Sequence, residues 1–220
     1  MSTSEIGSRL GLAAAAVAKN KDMITKELFD KVHSLISKHV EGGYYHPDMK
    51  KKMSAANQAK MGDSGETHLG IDRKHGRQLS IYPEWSQFWA LIDADRAKNP
   101  ALWKHYYMGG ALYEQLHKLA GEMMFKWFNV LLRRYVSLSA YDELAADPRL
   151  AAHMIYAAWN GEGWFRRFAR ELNNAVVKYE GNKDKIFEVA FAVRQNSSNE
   201  IIRQQAVNLK PVFKEFNSIP

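Results

Sequence analysis

Helical periodicity runs through most of the sequence and fails over one stretch, from Gly42 to about Ser80. In residues 24–40 apolar side chains recur every three or four positions, the spacing of an amphipathic helix with one buried face. Similar patterns predict helices over 84–98, 101–107, 111–138, 148–159, 164–180 and 186–209, the last with a break near 196–199. Asp147 and Pro148 are the expected cap and first residue of the helix at 148–159, and residues 211–220 are expected to form a ragged tail. The pattern over 111–138 is apolar nearly all round, which is typical of a helix at the centre of a bundle. The chain is therefore expected to be mainly α, a helical bundle around this long central helix.

The stretch without helical period predicts a small β region. Glycine, proline, asparagine and aspartate accumulate there, and Asp63-Ser64-Gly65 is a turn signal before the short run 66–71. A β-hairpin or a pair of loops is expected. With 220 residues the chain suits a single domain, 1–220, with an N-terminal helix or extension (1–22), a core (23–180) and a C-terminal helical extension (181–220).

Charge and residue types narrow the function classes. The 31 lysines and arginines exceed the 24 acidic residues, giving a net charge of +7, which favours a polyanionic partner such as a wall polymer, an anionic membrane or nucleic acid. No nucleic-acid-binding motif accompanies the charge, so no specific nucleic acid is expected. The longest apolar stretch, Leu10–Ala18, is far shorter than the ~20 residues of a membrane-spanning helix. With no cysteine and no complete zinc motif, neither metal nor cofactor is expected.

Carboxylates are the best candidates for chemistry. Glu41 lies on the last turn of the first predicted helix, before Gly42-Gly43. The negative end of the helix dipole and partial burial both raise a carboxyl pKa, as a general acid requires. Glycosidic hydrolysis uses such an acid and, in inverting enzymes, a second carboxylate that activates water. Asp63 and Glu66 are the candidates for that second role.

The same residues carry a family resemblance. Glu41-Gly42-Gly43-Tyr44, followed by Asp63-x-Gly65-x-Thr67-x-x-Gly70-Ile71, resembles the signature of glycoside hydrolase family 108, the phage-type and secretion-associated N-acetylmuramidases. The resemblance implies an α+β lysozyme-like fold, with Glu41 as the general acid and Thr67 in the wall of a hairpin. The family's glycine pair is incomplete here and the spacer is longer and basic, so Asp63 and Glu66 both stay candidates for the second carboxylate.

A second resemblance lies downstream. Tyr156-Ala-Ala-Trp159-Asn160-Gly-Glu-Gly163 is similar to the A-A-Y-N-x-G-x-G segment of lytic transglycosylases and goose-type lysozymes, with tryptophan replacing tyrosine. There the aromatic residue and the asparagine line the sugar groove. The resemblances together make substrate-binding candidates of Tyr45, Thr67, His68, Tyr156, Trp159 and Asn160.

The sequence thus predicts a peptidoglycan hydrolase that cleaves the β-1,4 bond between N-acetylmuramic acid and N-acetylglucosamine. A lytic transglycosylase acting on the same substrate stays open, as does a non-enzymatic basic helical binding protein. The expected partner is peptidoglycan, and the expected state is a monomer. A phage endolysin held in the host cytoplasm before release to the wall, or a virion-associated lysin, would fit this function.

Overall fold

The structure, a computed structural model, describes residues 24–39, 66–74, 76–98 and 110–217, and the backbone of 44–45. Glu41 and Asp63 lie outside the described residues, as do the predicted helix at 101–107 and the segment 1–22. The described chain is mainly helical, which confirms the predicted class. Its helices are α1 (Lys26–His39), α2 (Pro83–Lys98), α3 (Ala111–Tyr135), α4 (Leu138–Ala146), α5 (Pro148–Trp159), α6 (Glu162–Lys178), α7 (Lys183–Gln195), α8 (Glu200–Asn208) and α9 (Lys210–Asn217).

A small antiparallel sheet accompanies the helices. Its strands, in spatial order, are β1 (Tyr44–Tyr45), β2 (Thr67–His68) and β3 (Ile71–Asp72). Strands β2 and β3 form the predicted hairpin, joined by Leu69 and Gly70, with φ of 51° and 70°. Positive φ at both central residues is the mark of a type I′ turn, whose twist matches that of the strands it connects.

Helix ends follow their capping residues. Asp147 caps α5 as predicted: its carboxylate accepts a 2.8 Å hydrogen bond from the Arg149 amide, and Pro148 occupies the first turn. Helix α4 was not predicted; Ser137 caps it by accepting a hydrogen bond from the Ala140 amide. The predicted break at 196–199 is confirmed, because α7 ends at Gln195 and Asn199 caps α8.

One hydrophobic core links the described helices. Helix α3 contacts α1, α2, α5 and α6, and α7 packs on α6. The C-terminal helices belong to the same core, since Ile186 and Phe191 of α7 and Val212 of α9 are buried in it. The segment from Pro211, predicted as a ragged tail, is helical to Asn217, because Val212 and Phe213 bury an apolar face. None of the helices in the described ranges is long and apolar enough to cross a membrane.

Candidate functional site

A single hydrogen bond joins the hairpin to the end of α5. The indole Nε1 of Trp159 donates to the carbonyl oxygen of Leu69 at 3.0 Å. Leu69 is 1% exposed and left-handed, a conformation that costs a residue with a side chain about 1–2 kcal/mol. The bond therefore holds a strained turn against the helix. It also brings together the two sequence segments that resemble wall-cleaving enzymes.

A cleft of about 150 Å³ lies at this junction. The hairpin contributes residues 70–72 to its lining, and the break between α5 and α6 contributes residues 158–161. The break forms as the Asn160-Gly161 pair predicts: Asn160 ends α5, and Gly161 has a φ of 84°, which favours glycine. Two segments far apart in sequence thus form one concave surface.

Glu66 lies in a network of charges beside the hairpin. Its two carboxylate oxygens accept hydrogen bonds from Arg73 and Arg96, both at 2.8 Å. The same arginines bind Asp93 on α2, and the hydrogen bond from Arg73, followed by the charge of both guanidinium groups, lowers the pKa of Asp93. Because Glu66 is only 7% exposed, this network fastens the hairpin to α2. Glu66 was predicted from the sequence as a site residue, whereas Arg73 and Arg96 were not.

Glu162 is a further carboxylate next to the cleft, at the start of α6. It accepts hydrogen bonds from the Tyr135 hydroxyl and from Arg134 Nη1. These bonds, with that from Tyr135 first, lower the pKa of Glu162. A carboxyl held in its charged form does not suit the role of general acid.

The other predicted site residues differ in how they could reach a ligand. Thr67 Oγ1 lies 3.3 Å from Asp72 Oδ2 across the hairpin, and Tyr45 is paired with Thr67 in the sheet. The side chains of His68 and Tyr156 are fully buried. Neither His68 nor Tyr156 lines the cleft, so a ligand there would not reach them, whereas Trp159 and Asn160 do line it.

Trp159 also continues a stack of rings behind the cleft. The ring of His33 on α1 is stacked on Trp159 at 5.5 Å between centroids and on His117 at 4.1 Å. Burial, and then the charges of His117 and Lys26, lower the pKa of His33 to about 3. His33 is therefore neutral at physiological pH. Its position four residues after the buried Phe29 places it on the apolar face of α1, a signal that the sequence already carried.

Arg194 is a further residue that was not predicted from the sequence. It is fully buried on α7 and donates a 3.0 Å hydrogen bond from Nη1 to Asn160 Oδ1. Its signal lay in the spacing, because Ile186, Ala190 and Arg194 follow one another at intervals of four on the buried side of the helix. A charged residue in such a row is unusual enough to mark a special role.

The described ranges contain no cluster of three or more histidines, aspartates or glutamates suited to a metal ion. His68 and Asp72, spaced as ligands on one helix face would be, instead lie on the two strands of the hairpin.

Comparison of the chain with protein-family models, with curated proteins and with solved structures finds no match. The assignment of function therefore rests on the two sequence resemblances and on the geometry of the cleft.

Proposed function

We propose that the protein is a peptidoglycan hydrolase with a lysozyme-like fold, which cleaves the β-1,4 bond between N-acetylmuramic acid and N-acetylglucosamine. The hydrogen bond from Trp159 to Leu69 carries the proposal. It unites, at one cleft, two segments that separately resemble enzymes acting on this bond. Ligand sites are typically concave surfaces with a few polar groups between apolar walls, as here.

Glu41 is the general acid in this proposal. It lies in the chain between α1 and β1, and β1 pairs with the hairpin strand β2. Its carboxyl proton passes to the glycosidic oxygen as the bond from that oxygen to C1 breaks. In an inverting reaction a second carboxylate takes a proton from water, whose oxygen bonds to C1 from the opposite face.

Asp63 is the preferred second carboxylate. Both oxygens of Glu66 already accept hydrogen bonds from arginines, and its side chain is only 7% exposed, which leaves it little access to a water molecule beside the glycan. The same observation favours a lytic transglycosylase as the second candidate function, because that reaction needs one carboxyl only. There the muramyl 6-hydroxyl replaces water at C1, and Glu41 first gives and then takes a proton.

The net charge of +7 suits an anionic wall polymer as the partner. A monomeric phage endolysin or virion-associated lysin is the biological role that we propose. An endolysin would wait in the cytoplasm of the infected host until a membrane lesion opens the way to the wall.

Glu41→Gln tests the enzymatic assignment. We expect wall lysis, followed as the fall in turbidity of a peptidoglycan suspension, to decrease by about 10²–10⁴, because glutamine cannot donate the proton. Glu27→Gln is the matched control: it changes the charge equally at an exposed position near the start of α1 and should lyse normally. Near-normal lysis by Glu41→Gln would refute its role as the general acid. Binding of wall without lysis by the unaltered protein would favour the non-enzymatic binding protein.

Mass spectrometry of the digest separates the two reactions. Reducing muramyl ends indicate hydrolysis, and 1,6-anhydro ends indicate the transglycosylase.

A further inference from the structure

Arg194 is a buried cation without a carboxylate partner in the described chain. Its side chain is fully buried, and its guanidinium group lies over the rings of Phe168 and Tyr156, at 4.5 and 5.0 Å from their centroids. Nη1 donates to Asn160 Oδ1 at 3.0 Å and to Gln205 Oε1 at 2.5 Å. Burial lowers the pKa of Arg194 to about 10, so the group still carries its charge at neutral pH.

Such an arrangement is a poor way to stabilise a fold. Removing a charge from water is costly, and a well-packed apolar residue often serves a protein interior as well or better. Nε and Nη2 of Arg194 have no hydrogen-bond acceptor among the residues described, which adds to the cost. The hydrogen bonds that Arg194 does make therefore need another explanation than stability.

Asn160 supplies that explanation. It ends α5 and lines the cleft. A carboxamide has one end that accepts and one end that donates hydrogen bonds. Because Arg194 can only donate, its bond to Oδ1 fixes which end faces the core. The amino group, which bonds to no acceptor in the described part of the chain, is then the end available to a ligand.

We propose that Arg194 is a positioning residue, which holds the Asn160 carboxamide so that its amino group donates a hydrogen bond to a carbonyl or hydroxyl oxygen of the glycan. This inference rests on the proposed function for the identity of the ligand. The orientation of Asn160 itself does not depend on that function. The two claims can therefore be tested separately.

Arg194→Met tests the orientation first. In ¹⁵N NMR spectra of the unaltered protein, we expect the chemical shifts of the Asn160 side-chain NH₂ group to differ from those of a free amide. In the variant these chemical shifts should move toward the free-amide values. Melting temperature should stay equal or rise, because a buried unpaired charge is replaced by an apolar chain. Arg203→Met removes the same charge from an exposed position on α8 and should leave the Asn160 signals unchanged. Unchanged Asn160 signals in Arg194→Met would overturn the proposal.

Kinetics on soluble peptidoglycan fragments test the consequence. Loss of one substrate hydrogen bond should raise KM on the order of tenfold in Arg194→Met, with a smaller effect on kcat. Asn160→Asp gives an independent reading, since aspartate keeps the bond to Arg194 and gains charge pairing but has no amino group. We expect this variant to fold and to show the same rise in KM.

A normal KM in Asn160→Asp would overturn the positioning role. Shifted Asn160 signals in Arg194→Met together with no wall cleavage by the unaltered protein would support the orientation of Asn160 by Arg194 and refute the proposed function. Failure of the inference and failure of the function are thus distinguishable.

Discussion

Trp159→Phe isolates the hydrogen bond that joins the hairpin to α5. Phenylalanine keeps a ring for the stack with His33 and Phe29 but has no N–H group. The carbonyl of Leu69 is then left unsatisfied at a residue that is 1% exposed, and an unsatisfied buried group costs about 1–3 kcal/mol. We expect the free energy of unfolding to fall by that amount, or about 2–4 °C in Tm per kcal/mol for a chain of this size.

The assay combines urea unfolding with hydrogen exchange of the hairpin. Because Leu69 is left-handed, loss of its partner should loosen the turn and speed exchange of the Arg73 amide, which donates to Glu66 across the hairpin. Wall lysis should fall with it.

Trp127→Phe is the matched control for this experiment. Trp127 is 6% exposed, and its Nε1 has no acceptor within the described chain, so the same substitution removes an unsatisfied donor instead of a hydrogen bond. We expect Trp127→Phe to cost less stability than Trp159→Phe, although its ring is deeply buried. An equal or larger loss in Trp127→Phe, or unchanged hairpin exchange in Trp159→Phe, would refute the reasoning.

Two further predictions concern titration and the second carboxylate. The pKa of His33 is lowered to about 3 from 6.5, so as pH falls below 6.5 the unfolded chain binds a proton that the folded chain refuses. The free energy of unfolding should therefore decrease by about 1.4 kcal/mol per pH unit, or about 2 kcal/mol at pH 5. Urea unfolding at pH 7 and pH 5 should show a smaller decrease in His33→Phe than in the unaltered protein. An equal decrease would contradict the lowered pKa of His33. Glu66→Gln should lower the free energy of unfolding by about 1.5–3 kcal/mol, since it weakens hydrogen bonds to charged arginines, but its folded fraction should still lyse wall. Asp63→Asn should lose turnover with little change in Tm. A stable but inactive Glu66→Gln would indicate that Glu66, and not Asp63, is the second carboxylate. Mild effects of both substitutions on lysis would favour the transglycosylase.

Local signals in the sequence predicted most of the secondary structure of the described residues. The apolar spacing identified α1, and the Asp147-Pro148 pair identified the start of α5. Both signals are local, because capping and helical periodicity depend on residues only a few positions apart in the sequence. Helix α9 and the short α4 were missed for the opposite reason. A proline at position 211 and polar neighbours concealed the buried pair Val212 and Phe213, whose burial depends on helices distant in sequence.

The site was predictable in part. The sequence identified both segments that line the cleft, because each resembles a known motif. It could not show that Glu66 is held by Arg73 and Arg96, since an ion pair between a hairpin and a helix depends on tertiary packing. The sequence also could not show that His68 is fully buried. A strand of two residues is too short to display the alternation of buried and exposed residues that reveals which side faces the core.

Trp159 and Asn160 explain why the break between α5 and α6 matters to the cleft. These neighbours bind in different directions, Trp159 to the hairpin at Leu69 and Asn160 to α7 at Arg194. A helix end tied to only one of them could rotate about its last turn, and the cleft wall would move with it. Both ties are hydrogen bonds with defined geometry and therefore restrain the wall. A site that is preorganised in this way loses less free energy on binding.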